Sequence, residues 1–408
     1  MSANRRVENI TAHLAGHSTS GAGPKPARAP KSPDDVVIVS ALRSALTKGG
    51  KGAFNETHPE YILSQVLKAT ISQTGIDPKI VKDIQVGNVL MPGAGVTTAR
   101  MAALYAGFPE STSACAVNRQ CSSGLATCGN IASAIKAGYM DCGIGAGVES
   151  MTMYYGPQAM PSNLSEEILD YGPAADVLIP MGTTSENVAA EFGVTRKEQD
   201  EFAFRSHSLA AKAQKEGLFK EEIVPIKIAD GKMVEIDDGI RATTLEKLSS
   251  LRTVFKKDGT TTAGNASQVT DGAAAVLLMK RSLAEKLGLQ VQARWLGYVN
   301  VGVPPRIMGI GPAFAIPAVL EQVGLNISDI GVWEINEAFA SQAVYCVKHL
   351  GIDVNKVNPK GGAIAFGHPM GATGARQIAT LLPELRRKKE RYGVISMCVG
   401  NFIFIFKR

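Results

Sequence analysis

The chain has 408 residues, of which 45% are hydrophobic and 20% are charged, a composition typical of globular proteins. This length predicts two or three domains or one large α/β unit. No apolar run reaches the roughly 20 residues that are needed to cross a bilayer. The composition therefore argues against membrane insertion, a collagen-like fibre and a mainly disordered chain.

The formal net charge of +6 is concentrated near the C-terminus. Residues 386–408 hold seven Lys or Arg and one acid, and the remaining basic and acidic residues are equal in number. A nucleic-acid-binding protein would spread its basic residues over a face and interleave them with aromatics. Because cations favour helix C-termini, the run Arg386–Lys389 predicts a solvated helix end and no nucleic-acid partner.

Residues 1–35 predict a targeting leader. Residues 6–14 have the order basic, aliphatic, five further residues, His, Leu, which resembles a type 2 peroxisomal targeting signal. Residues 15–35 are rich in Gly, Ser, Pro and Ala, as flexible linkers are, and no apolar core of a secretory signal follows the basic residues. We expect import into the peroxisomal matrix through a receptor; the alternative for residues 6–14 is an ordinary frayed helix.

From residue 34 the chain alternates strands with helical stretches, which predicts an α/β fold with a largely parallel sheet. Its two ends resemble each other at offsets of 240, 246 and 246 residues, in three pairs: Asn118 and Asn358, Ser150-Met151 and Ser396-Met397, Asp83-Ile84 and Asp329-Ile330. Such offsets predict duplicated half-domains. The predicted units are a leader (1–35), a first half (36–150 plus 269–293), an inserted lid (151–268) and a second half (294–408).

The lid has its own predicted elements. Helices are expected over 183–192 and 196–217, with Thr195 as the N-cap of the second, and a short strand pair around residues 223–234.

The six cysteines are free thiols by prediction. None forms a Cys-x-x-Cys pair or has zinc-ligand spacing to a His, and the chain is too long for a disulfide scaffold. Cys121 lies where an extended segment meets a helix rich in small residues. A helix N-terminus lowers a thiol pKa and so favours a nucleophile. The alternative is a buried core cysteine.

Three further segments carry polar groups. His368 lies in the glycine-dense segment 361–371 and is the usual kind of base for a Cys nucleophile, although a single His is more often structural. Asn336 follows an apolar strand and is a candidate site residue or helix N-cap. Cys398 ends a buried strand near Gly400. Two thiols and an imidazole suit acyl transfer through a thioester, whereas the spacings offer no metal-ligand set.

These segments together resemble the thiolase family, over about 36–400. The resemblance is carried by five stretches: Asn118–Leu125, Pro180–Gly182, Gly259–Ser267, Glu334–Ala340 and Gly361–Gly374. It implies two βαβαβαββ half-domains in a layered α-β-α-β-α core, with an inserted loop domain. It also implies a homodimer or a dimer of dimers, and with the leader the nearest branch is the fungal peroxisomal one.

The resemblance also implies a reaction, the cleavage of 3-ketoacyl-CoA by CoA. Cys121 would attack the 3-keto carbon, and His368 would take its proton and help to hold the oxyanion. Cys398 would protonate the departing acetyl-CoA enolate. Asn336 would position a water in one oxyanion hole, and the amides of Cys121 and Gly400 would form the other. Free CoA would then release an acyl-CoA shortened by two carbons.

The resemblance places six residues against the substrate. Ser267 would bond the pantetheine, Arg241 and Phe255 would flank the adenine, and Met181, Phe339 and Ala340 would line the tunnel. It implies no metal and no bound cofactor, since CoA is a substrate.

Other functions fit parts of the pattern. An acetoacetyl-CoA thiolase working toward condensation is the first alternative, and chain-length preference separates it. A ketoacyl synthase type is disfavoured, because its Cys-His-His site lacks a second thiol like Cys398. A non-catalytic lipid carrier or scaffold is the alternative from another class.

The chain departs from the family after Gly400. Where the family has further glycines and a small-residue turn, this chain continues at once with Asn401 and the apolar run Phe402–Phe406. That run is expected either to form the last strand, shifted by several residues, or to be an exposed, aggregation-prone end. We therefore predict lower activity or stability than in a relative with the full turn.

Overall fold

A computed structural model describes residues 26–27, 29–398 and 403–407. The predicted targeting motif at residues 6–14 and the predicted oxyanion-hole residue Gly400 lie outside the described residues.

Eleven strands of the described chain form one sheet, and β7 and β8 form a separate two-stranded sheet. The strands are β1 (Val36–Ser44), β2 (Thr47–Lys48), β3 (Asp83–Gly87), β4 (Ser113–Val117), β5 (Cys142–Ser150), β6 (Ile223–Val224), β7 (Ile226–Lys227), β8 (Met233–Val234), β9 (Thr270–Lys280), β10 (Ala293–Val299), β11 (Val332–Ile335), β12 (Tyr392–Ser396) and β13 (Ile403–Lys407).

Helices follow or separate these strands. They are α1 (Pro59–Thr74), α2 (Val96–Tyr105), α3 (Ser123–Lys136), α4 (Met151–Tyr154), α5 (Glu166–Leu169), α6 (Gly172–Ala175), α7 (Met181–Phe192), α8 (Arg196–Lys215), α9 (Leu245–Ser249), α10 (Arg281–Lys286), α11 (Gly311–Val323), α12 (Ala340–His349), α13 (Ala363–Phe366) and α14 (Thr373–Arg387). Within the described residues, none of these helices is long and apolar enough to span a membrane.

The sheet contains the same arrangement twice. The first half has the order β1-β9-β5-β3-β4, and the second has β10-β13-β12-β11. In both halves two antiparallel pairs are followed by a parallel pair, and a parallel bridge from Trp333 to Val357 takes the place of the β3–β4 pair. The structure thus shows the predicted repeat, while the predicted unit boundaries stay a prediction.

The expectation of a largely parallel sheet is wrong. In the described residues, β5, β3, β4 and their counterparts run parallel because helical crossovers connect them, and the short strand β6 adds one parallel pair with β1. After the lid, β9 enters between β1 and β5 and runs antiparallel to both.

Successive side chains on the strands point to opposite faces of the sheet and pack against different helices. On β9, Ala274, Val276 and Leu278 face the core that contains α3 and α14, whereas Leu277 and Met279 face the core that contains α1 and α2. The second half packs its outer face against α11 and α12. Because each half of the sheet is covered by helices on both faces, the result is the five-layered α-β-α-β-α arrangement that the resemblance implies.

The lid and the C-terminus agree in detail with several predictions. Thr195 and Glu198 form a capping box at the start of α8. The basic run ends α14, where Arg387 pairs with Glu384 and Arg386 pairs with Glu221, so the predicted solvated helix end is confirmed. The apolar C-terminal run forms β13, between β10 and β12, which confirms the first of the two expectations for it.

A fully buried ion network joins the lid to both halves. Arg43 on β1 pairs with Glu222 at 2.8 Å and with Asp237 at 2.7 Å, and Glu222 also pairs with Lys360 at 2.7 Å. The two basic residues hold the pKa of the Glu222 carboxyl below its usual value against the opposing effect of burial. Removing one member leaves buried charge without a partner.

Glu222→Gln should therefore lower the free energy of unfolding by about 3–5 kcal/mol, because Arg43 and Lys360 lose their shared counter-charge. Denaturant unfolding measures the effect. Glu221→Gln is the matched control, since this neighbour makes only a partly exposed pair with Arg386 and such pairs contribute about 0–1 kcal/mol. Equal effects in the two variants would contradict the assignment.

Candidate active site

Cys121 is held in a tight turn just before α3. The Ser123 hydroxyl accepts from the Arg119 amide at 2.9 Å and donates to the Gln120 carbonyl. Gln120 has a φ of 49°, the left-handed region that non-glycine residues rarely adopt. The turn therefore fixes the backbone on the N-terminal side of Cys121, and places this residue at the predicted junction of extended segment and helix.

His368 is held from both sides of its ring. Its Nδ1 lies 2.6 Å from the Thr373 hydroxyl, which donates its own proton to the Pro369 carbonyl at 2.9 Å. Because the hydroxyl has one proton, it accepts from Nδ1–H, so the neutral form of this ring has its lone pair on Nε2. The preceding Gly367 has a φ of 106°, and a Cβ there would lie 2.1 Å from the Thr270 hydroxyl.

Asn336 connects His368 with Cys398. Its Nδ2 lies 3.2 Å from His368 Nε2 and donates to Cys398 Sγ at 3.4 Å. Its backbone is fixed to the end of β12 by a hydrogen bond to Ser396. Asn336 Oδ1 is buried and has no hydrogen-bond partner among the described residues. Within the described part of the chain this oxygen is thus an acceptor without a donor, which favours a site role for Asn336 over the N-cap alternative.

Cys121, His368 and Cys398, which we call the triad, lie together although they come from three distant segments. Their ligand atoms are all within 4.8 Å of one another, and all three residues are buried. The sequence expectation that these groups offer no ligand set rested on their spacing along the chain. The fold overcomes that spacing because it brings the start of α3, the loop before α14 and the end of β12 to one point.

Glycines make this convergence possible. The Gly371 carbonyl, three residues after His368, would lie 2.5 Å from a Cβ at Gly124 and 2.1 Å from one at Gly147. A Cβ on Gly371 itself would lie 2.6 Å from the Gly87 carbonyl. Since all of these distances are shorter than any real Cβ contact, the His368 loop reaches the first half only because side chains are absent there.

The two thiols share their protons unequally. A hydrogen bond from Cys121 holds the pKa of Cys398 well below its usual value, and His368 and Asn336 add to this effect against burial. The same thiol pair, together with burial, raises the pKa of Cys121. The expected lowering of the Cys121 pKa is therefore wrong, because two adjacent thiols cannot both ionise in a buried site. As a nucleophile, Cys121 therefore needs a base beside it.

The buried carboxylate of Glu149 and the hydroxyl of Thr373 are parts of the site that sequence reasoning missed. Glu149 accepts from the amides of Val89, Leu90 and Gly371, and burial raises its pKa to about 7. An acid at the end of the otherwise apolar strand β5 was the available signal. Thr373 had none, since its role depends on the turn at Pro369.

Glu337 connects the lid with the His368 loop. Its carboxylate accepts from the Ser206 hydroxyl on α8 at 2.6 Å, from Asn358 Nδ2 at 2.6 Å and from the Ile364 amide at 3.3 Å. Burial raises the pKa of this carboxyl. The residue next to Asn336 thus joins the lid helix to the segment that leads into His368.

Several predicted substrate-binding residues lie together. The rings of Phe255 and Phe339 meet edge to face at 6.2 Å, and the Phe255 ring lies over Gly182, next to Met181, where a Cβ would come within 2.2 Å of it. Met181 and Phe255 are exposed, at 41% and 45%. Their exposure beside Phe339 provides an apolar surface that is open to a ligand.

The other predicted substrate-binding residues lie in or beside the last segment of the lid. Ser267 donates its amide to the Ala338 carbonyl, and the Ala340 amide donates to Asn265, so both lie next to Phe339. Arg241 is exposed, and its charge adds to burial in lowering the pKa of His207 on α8. Arg241 is thus beside the lid helix.

Two thiolase domain models match most of the chain. The thiolase N-terminal domain model matches residues 36–282, and the thiolase C-terminal domain model matches residues 289–402. A peroxisomal 3-ketoacyl-CoA thiolase of Yarrowia lipolytica is 52% identical over 405 residues, which are 97% of each chain. The human peroxisomal 3-ketoacyl-CoA thiolase is 49% identical over 412 residues, also 97% of each chain.

A solved structure gives the same result for the fold. The dimeric peroxisomal thiolase of Saccharomyces cerevisiae superposes with a TM-score of 0.89 at 52% identity, covering 93% of this chain and 98% of that one. The chain therefore belongs to the thiolase family, which confirms the resemblance. Within the family, the relatives that match it over nearly their whole length are peroxisomal 3-ketoacyl-CoA thiolases.

Gly147→Ala should destabilise the protein by about 1–3 kcal/mol, because its Cβ would overlap the Gly371 carbonyl, which is backbone and cannot rotate away. It should also lower kcat, since Gly371 follows His368 in the same loop. Thermal unfolding and steady-state kinetics measure the two effects. Gly302→Ala is the control, since nothing lies within 4 Å of that Cβ; loss of neither stability nor activity in Gly147→Ala would disprove the close contact.

Proposed function

We propose that this chain cleaves 3-ketoacyl-CoA with free CoA, giving acetyl-CoA and an acyl-CoA shortened by two carbons. The observation that carries this proposal is the buried triad, in which two thiols and an imidazole lie within 4.8 Å. Both half-reactions take place at the same carbonyl carbon. An enolate leaves it in the first half-reaction and a thiolate leaves it in the second, so the Cys121 sulfur serves first as nucleophile and then as leaving group.

In the first half-reaction Cys121 attacks the 3-keto carbon. His368 Nε2 is the acceptor for the Cys121 proton, since Thr373 holds Nδ1 and the ring lies in the cluster with the Cys121 thiol. The bond between the keto carbon and the α-carbon breaks, and Cys398 gives its proton to the acetyl-CoA enolate. The Cys398 thiolate that this step leaves is stabilised by the neighbouring His368 and Asn336.

In the second half-reaction the proton transfers run in reverse. The CoA thiol gives its proton to the Cys398 thiolate and attacks the acyl-Cys121 thioester. Cys121 leaves as a thiolate and recovers its proton from His368. The proposed reaction uses CoA as a substrate and needs no resident cofactor.

We propose two oxyanion holes. Asn336 Oδ1, which lacks a partner among the described residues, is suited to position a water in the first oxyanion hole, together with His368. The amides of Cys121 and Gly400 are proposed for the second. For CoA and the acyl chain, we propose the surface of Met181, Phe255 and Phe339, with the nearby Ser267, Arg241 and Ala340.

The comparisons confirm the predicted peroxisomal location, which the names of the relatives share. We propose that residues 6–14 are the import signal and that an import receptor binds them. A homodimer is supported by the dimeric yeast relative. We propose that β4 lies at its interface, because β4 ends the strand order of the described sheet and Leu104 and Tyr105 on the neighbouring α2 are exposed.

Two alternatives remain testable. An acetoacetyl-CoA thiolase would cleave only the four-carbon substrate, so thiolysis across chain lengths separates it from the proposed activity. A non-catalytic carrier or scaffold would form no covalent intermediate.

The enzyme proposal predicts an acyl group on Cys121. After incubation with a 3-ketoacyl-CoA and rapid acid quench, peptide mass spectrometry should find the shortened acyl chain on the Cys121 peptide of the wild type and not in Cys121→Ala. Cys115→Ala, which removes a half-buried thiol outside the site, should keep the label. Absence of label on Cys121 with every acyl-CoA tested would defeat the enzyme proposal.

Because the chain departs from its family after Gly400, we predict that restoring the missing turn increases activity or stability. In this chain, residues 397–402 connect β12 to β13. Inserting a glycine-rich turn after Gly400 should raise the thiolysis rate or the melting temperature, because the family resemblance implies further glycines at this point and glycine permits tight turns. An alanine insertion of equal length is the control. No gain over the wild type in either measurement would rule out the prediction.

A further inference from the structure

The triad has the composition of a site for a soft metal ion. Thiolate and imidazole are the ligands that Zn²⁺ prefers in proteins, and Cys121, Cys398 and His368 supply two of the first and one of the second. A tetrahedral zinc site, with bonds of about 2.3 Å to sulfur and about 2.0 Å to nitrogen, separates its ligand atoms by roughly 3.5–3.8 Å. In the structure they lie within 4.8 Å of one another, so small side-chain rotations complete the set.

The imidazole is already oriented for metal binding. Metal-bound His residues usually donate their second ring N–H to an acceptor, which fixes the tautomer and the ring plane. Thr373 takes that position, since its hydroxyl lies 2.6 Å from His368 Nδ1 and directs the Nε2 lone pair toward Asn336 and Cys398. The proposed proton transfer from Cys121 uses the same lone pair, so a bound ion would compete with it.

Charge and donor number also fit a divalent ion. Two thiolates and a neutral imidazole neutralise a dication, so the complex avoids the cost of an unpaired buried charge. Binding forms two metal–sulfur bonds and one metal–nitrogen bond and releases the two thiol protons to solvent. The buried Asn336 Oδ1, which has no partner among the described residues, is available to the fourth position directly or through a water.

We propose that the triad is a binding site for a soft divalent cation such as Zn²⁺, and that its occupation reversibly inhibits the enzyme by taking up Cys121 and Cys398. This metal site goes beyond the proposed acyl transfer, which uses the same groups without an ion. It was hidden from the sequence because its ligands come from three distant segments.

Calorimetric titration of the metal-free full chain with Zn²⁺ tests the site. We expect a single ion per chain, and a loss of affinity of about tenfold or more in each of Cys121→Ser, Cys398→Ser and His368→Asn. Thr373→Val should weaken binding by about 10–100-fold, as outer-shell changes do. Cys115→Ser is the control and should bind like the wild type; Mg²⁺, which prefers oxygen ligands, should not bind.

Alkylation gives a readout that requires neither activity nor a variant. Zn²⁺ should slow the reaction of iodoacetamide with Cys121 of the wild type, followed on its peptide by mass spectrometry, and a chelator should restore the rate. Because this measurement needs no turnover, it stays informative if the proposed thiolysis fails. Affinity unchanged in the triad variants, affinity lost in Cys115→Ser, or Cys121 alkylated at the same rate with and without Zn²⁺ would overturn the proposal.

Discussion

The contact between the Gly371 carbonyl and the glycines of the first half is the constraint on which the site depends. With Gly124 and Gly147 against this carbonyl, the loop after His368 can approach the helix that Cys121 precedes. Helices α3 and α14 then share one central core between the two halves of the sheet. Any side chain at this point would separate the nucleophile from its base, so the density of glycine in these motifs reflects packing as much as ligand access.

Two buried carboxylates beside the site are satisfied by the protein. Glu149 and Glu337 each accept several hydrogen bonds, among them one from the His368 loop and one from the lid helix α8, and the network of Arg43, Glu222 and Lys360 joins the lid to the core. Buried polar groups of this kind are costly when one partner is lost. They therefore hold the loops in one arrangement, within which the triad can keep its short separations.

Much of the fold and site could be predicted from the sequence, since local patterns carry it. The capping residue Thr195, the repeat and the cysteine before a small-residue helix were all visible as patterns. What failed depended on contacts between distant segments. The pKa of Cys121 rises because Cys398 lies beside it, and β9 runs antiparallel because the chain returns from the lid. Neither Thr373 nor the gathering of metal-type ligands has a signal along the chain.

The position of β13 has a consequence for the order in which the chain becomes functional. This strand, at residues 403–407, is not at the edge of its half but pairs with β10 on one side and β12 on the other. The half that supplies Asn336, His368 and Cys398 therefore cannot complete its sheet until residues 403–407 have left the ribosome. During synthesis the segment that contains Cys121 is available long before Cys398, so the two thiols meet late.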